Sequence, residues 1–68
     1  MDIYRIIWHV PVGDGEFASA VVESTHDYRD AKAAFEEHCE RHPERIYELR
    51  VMLDHCIEKR GPQGIKQG

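Results

Sequence analysis

The sequence predicts a small α+β domain, a β-β-α-β chain whose three strands form one antiparallel sheet in the spatial order 2-1-3, with one helix packed on one face. Three observations carry this. Residues 3–10 alternate with period two, residues 28–42 shift to a helical period, and residues 45–53 return to period two. With 68 residues in all, there is room for one such unit and one modest core.

In residues 3–10 the even positions Tyr4, Ile6, Trp8 and Val10 are all apolar, which sets the even face of a strand against the core. Pro11 is expected to stop the ladder, and Gly13-Asp14-Gly15 supplies the positive-φ positions of a turn. A second strand over 16–23 follows at hairpin distance, so the pair is antiparallel. Ser24-Thr25-His26-Asp27 is a helix-start cluster, in which Asp27 with Asp30, or Ser24 with Asp27, places a capping oxygen and acidic charge at the positive helix end. At 100° per residue Tyr28, Ala31, Phe35, Cys39 and His42 share one arc. Pro43 ends the helix, because the residue before a proline disfavours the α region. In the third strand Tyr47, Leu49, Val51 and Leu53 alternate with Ile46, Glu48, Arg50 and Met52. The inward phases of the three patterns nominate Trp8, Phe35, Leu49 and Val51 as the core. Placing the third strand beside the first keeps every pairing antiparallel and the crossover right-handed.

Charge divides the chain. Residues 1–58 hold all thirteen acids and six of the nine bases, whereas 59–68 hold Lys59, Arg60 and Lys66 with three glycines and a proline. The first stretch reads as a single domain, and the second as a flexible basic tail that buries too little to offset its ordering entropy. A net charge of −4 argues against nucleic acid as a direct partner, since phosphate affinity comes from clustered cations. No run approaches the ~20 apolar residues of a membrane span. The opening residues lack a basic region followed by an apolar one, and two cysteines are too few for a disulfide framework; both point to the cytosol.

Of the five histidines, His38 and His42 flank Cys39 on the helix, and His55-Cys56 repeats the pairing of His38-Cys39. Cys39, His42, His55 and Cys56 are therefore a conceivable tetrahedral zinc set. The spacing lacks a Cys-x-x-Cys, and Cys39 lies on the apolar arc, so the expectation is structural histidines with no metal and no cofactor. Cys39 with a neighbouring histidine does not make a nucleophile site without a pocket and oxyanion donors, and the chain reads as non-enzymatic. The informative feature is the sheet face that one helix leaves uncovered. Ile3, Arg5, Ile7 and His9 of the first strand and Ile46, Glu48, Arg50 and Met52 of the third lie on it, with Phe17, Ser19 and Val21 assigned there on the second. Apolar residues interleaved with arginines have the composition of an interface, either for another protein or for a second copy of the chain.

Tyr4-Arg5-Ile6-Ile7-Trp8, the Gly-Asp-Gly turn, the helix opened by Glu23-Ser24-Thr25-His26-Asp27 with Ala31-Lys32-Ala33-Ala34-Phe35, and Tyr47-Glu48-Leu49-Arg50-Val51 together resemble small β-β-α-β proteins of bacteriophages. The pattern is most similar to the gene-two type inhibitors of bacterial RNA polymerase and covers residues 2–53. The same plan is similar to some anti-CRISPR proteins. The resemblance implies an inhibitor that occupies a surface of a host complex in the bacterial cytosol, either RNA polymerase or an antiviral defence complex such as CRISPR-Cas. It also implies binding through arginines two apart on the last strand. Arg50 matches the first of these, and Met52 stands where the second would be. The alternative from another class is a zinc- or nucleic-acid-binding accessory domain built on the His-Cys pairs and the basic tail.

Overall fold

The structure is a computed structural model and describes residues 2–52 and 55–61. The chain runs β1 (Tyr4–Gly13), β2 (Glu16–Thr25), α1 (Tyr28–Arg41), β3 (Ile46–Val51) and β4 (His55–Arg60). The sheet is antiparallel throughout, in the order β2-β1-β3-β4, so the expected order 2-1-3 is present with a fourth strand added outside β3. β4 corrects the three-stranded expectation. Its helix-side positions hold Glu58 opposite Leu49 and Arg60 opposite Tyr47, and both are charged, so no apolar alternation announces the strand. The strand also takes in Lys59 and Arg60, the first two residues of the expected tail; residues 62–68, with Lys66, and Leu53 of the expected third strand lie outside the described residues.

β1 also runs further than its sequence suggests. Pro11 stays in the strand opposite Phe17, and the irregularity falls just after it, between Pro11 and Gly13. Proline is tolerated at such a bulge. Gly15 closes the hairpin at φ +74°, in the left-handed region that a side chain disfavours. A second bulge leaves Val22 unpaired, with Val21 opposite Ile7 and Glu23 opposite Ile6. The bulge takes Val22 out of the strand's alternation and leaves it exposed.

The helix begins where the capping signal predicts, and the structure selects Asp27. Its Oδ1 accepts the backbone N–H of Arg29 at 2.7 Å and of Asp30 at 3.3 Å. At the other end the N–H of His42 closes onto the carbonyl of His38 at 3.0 Å, and Pro43 follows. Asp27→Ala is expected to cost about 1 kcal/mol, because two helix-end donors lose their acceptor. The check is a lower urea midpoint with an unchanged slope.

Ala31 and Phe35 of α1, Ile6 of β1, and Tyr47 and Leu49 of β3 are fully buried and form the core. Tyr4, Trp8, Ala34, Cys39 and Ile57 pack around them half-exposed. Trp8 and Val51 are thus less buried than their strand phase suggests. Trp8 lies beside Tyr47 in register at the margin of the core, and the guanidinium of Arg45 stacks 3.8 Å from its ring centroid, so a cation supplies part of its cover. Polar links tie the helix down on both flanks. His38 meets Glu23 of β2 at 3.0 Å, while Lys32 reaches Glu58 and Glu36 holds Arg60 through two bonds of 3.0 and 3.1 Å. These pairings hold Glu36 and Glu58 below the ordinary carboxylate range, through their hydrogen bonds to Arg60 and Lys32 respectively.

Candidate functional site

The uncovered face is built by strand parity. Since Ile6, Tyr47 and Leu49 point to the helix, Arg5, Ile7 and His9 point away, opposite Arg50, Glu48 and Ile46. Phe17, Ser19 and Val21 join them from β2, opposite Pro11, His9 and Ile7. The sequence assigned all of these to one surface, and the register brings them together. Ile3 and Met52 lie just beyond the strand ends, where the N–H of Met52 donates to the carbonyl of Ile3 at 3.0 Å. Met52 has φ +62°, and its own carbonyl accepts from Arg5 at 3.2 Å.

At the centre of this face sits Glu48, which is only 4 % exposed. An outward-facing carboxylate in that state needs partners around it. His9 Nε2 lies 2.8 Å from Oε1, Arg50 Nε donates to Oε2 at 2.7 Å, and the thiol of Cys56, opposite Arg50 on β4, donates to the same group. Burial alone would raise the Glu48 pKa. The bonds from Cys56, His9 and Arg50 outweigh it and hold the carboxyl below its ordinary range. An ionised carboxylate only accepts, so His9 carries its proton on Nε2. For Cys56 the effect is opposite. Burial and the bond to Glu48 push its thiol upward, which disfavours the thiolate a nucleophile needs.

Arg50, expected on this face as a binding residue, lies on it and is engaged with a carboxylate of its own strand. Neither Cys56 nor the burial of Glu48 was foreseen, and the signal for them was faint. A glutamate two residues from an arginine marks an intrastrand pair, but the third donor comes from a strand that sequence periodicity does not reveal.

Beside the cluster, an open groove of about 240 Å³ runs along the sheet end, lined by Trp8, His9, Pro11, Phe17, Arg45 and Ile46. The conceivable zinc ligands do not converge. Cys39 packs at the helix-side core, Cys56 lies on the other face of the sheet, and His42 is 3.8 Å from Glu44. No group of three or more metal-ligating side chains occurs among the described residues. Burial raises the Cys39 thiol as well. Arg60, counted in the sequence with the basic tail, is bound by Glu36 and Glu58. No described helix is long and apolar enough to cross a membrane.

What fold and face define is a one-sided antiparallel sheet with a helix on its back and a mixed apolar and polar surface on its front. No protein-family model, curated protein or solved structure matches the chain.

Proposed function

We propose that the chain is a non-enzymatic protein-binding module that works through the open face of its sheet. The observation that supports this is the face itself. The helix covers one side only, and the other presents Phe17 and Val21 in the open beside half-buried Ile7 and Ile46, around a polar cluster whose charges are already matched. Internally satisfied polar groups at the centre with apolar surface around them allow a partner to dock without stranding a buried charge. The phage-type strand and helix pattern supports a more specific reading, a cytosolic inhibitor that covers a surface of a host complex such as RNA polymerase or a CRISPR-Cas effector.

The test is a pull-down from bacterial lysate with variants of the two exposed faces. Ile46→Glu and Arg5→Ala alter the sheet front, and Arg50 is spared because it holds Glu48. Glu37→Lys with Glu40→Lys alters the back, and Glu36 is spared because it holds Arg60. The front variants are expected to retain about tenfold less of the partner or below, with the fold intact by circular dichroism. If the back variant loses the partner while the front variants keep it, the reading fails.

A further inference from the structure

The two edges of the sheet are unlike. β4 is six residues long and carries Glu58, Lys59 and Arg60, the usual protection of an edge against pairing with another chain. β2 is ten residues long, and from Phe17 to Val22 it holds no charge, no proline and no glycine. Nearly all of it is exposed, with Phe17 at 53 % and Val21 at 55 %.

Its backbone is set up for pairing. Met52 N–H donating to Ile3 O makes that couple a hydrogen-bonded pair, so odd residues of β1 direct their backbone groups to β3 and even ones to β2. Ala18 and Ala20 lie opposite the even residues Val10 and Trp8 and are satisfied by β1. Phe17, Ser19 and Val21 are left with N–H and C=O directed to the free edge.

We propose that two copies of this chain pair antiparallel through β2, with Ser19 on the twofold axis, to form one eight-stranded sheet. In this register Phe17 lies opposite Val21 of the other copy, twice, and Ala18 lies opposite Ala20. The free backbone groups of residues 17, 19 and 21 bond one another, and the two most exposed large side chains of the strand, Phe17 and Val21, are matched with each other. Glu16 falls opposite Val22. A one-residue slip would instead set Glu16 against Glu23 and turn donors toward donors. The window ends at the Val22 bulge, which stops longer pairing. Antiparallel pairing about an axis normal to the sheet keeps both helices on the same side, so the two open faces become one surface. This assembly does not depend on the identity of any host partner.

Sedimentation equilibrium of the full chain over a concentration series is expected to show a monomer–dimer equilibrium. Val21→Lys is expected to weaken it about tenfold or more, with an unchanged melting midpoint in dilute solution. Ile46→Glu, on the open face away from the edge, is expected to leave it intact. Ser19→Cys is expected to cross-link within the dimer under mild oxidation, and Ser24→Cys is not, each compared with the parent chain that retains Cys39 and Cys56. A chain that stays monomeric throughout, a dimer indifferent to Val21→Lys, or one abolished by Ile46→Glu overturns the proposal. The last outcome would place the second copy on the open face, and loss of a lysate partner with the dimer intact would concern only the binding reading.

Discussion

Phe35→Ala is expected to abolish the cooperative thermal transition. Phe35 is fully buried between Ala31, Ile6, Tyr47 and Leu49, and the ammonium of Lys32 and guanidinium of Arg60 sit 5.8 and 5.4 Å from its ring centroid. Truncation removes the ring, leaves a cavity under the helix, and strips both cations of their aromatic partner. Such substitutions cost about 3–5 kcal/mol, against a total stability that for a domain this small lies near the lower end of about 5–15 kcal/mol. Phe35→Leu, which keeps most of the volume, should fold and lose only about 1–1.5 kcal/mol. A cooperative Phe35→Ala transition near the parent midpoint would show that the helix is not held by this core.

The second large effect is expected at Glu48. Glu48→Ala removes the acceptor shared by His9, Arg50 and Cys56. Breaking a fully buried ion pair costs about 3–5 kcal/mol, but Arg50 keeps part of its surface in water, so about 2–3 kcal/mol is expected. The pH dependence has a definite sign. Glu48 titrates lower in the folded chain than its ordinary value, so its contribution is fully present above the unfolded carboxylate range and is lost as pH falls through the folded value. Glu48→Gln should therefore lose stability at neutral pH and show a shallower decline on acidification. Glu36 and Glu58, depressed by other partners, keep some of that decline in place. Urea titrations at stepped pH read both effects, and parallel acid profiles for parent and variant would refute the assignment.

Periodicity is read well in this chain where one face of an element meets apolar neighbours. That is why the hairpin, a helix opening at the Ser24–Asp27 cluster, the central place of β1 and the assignment of Arg5, Ile7, His9, Ile46, Glu48 and Arg50 to a common face could all be reached from residue order. It is read poorly where the inward positions are charged. Glu58 and Arg60 of β4 point at the helix because Lys32 and Glu36 are there to receive them, and such mutual compensation exists only in three dimensions. Pro11 shows the same lesson for local signals, since its cost in a strand disappears at a bulge. The burial of Glu48 depends on side chains brought from β1, β3 and β4 at once, and no single segment encodes it.

The place of Glu48 also bears on how the sheet chooses its alignment. Apolar side chains alone distinguish alternative strand registers weakly, because Ile46, Ile7, Leu49 and Ile6 are much alike in size and hydrophobicity. A one-residue slip of β3 against the helix would turn its side chains over, sending Glu48 and Arg50 together into the layer occupied by Phe35 and parting the carboxylate from His9 and Cys56. An ion pair buried there without those further hydrogen bonds costs several kcal/mol in lost hydration, far more than exchanging one aliphatic residue for another. The ionised group thus acts on the competing arrangements more than on the native one, and makes the alignment of the central strands a single-valued choice.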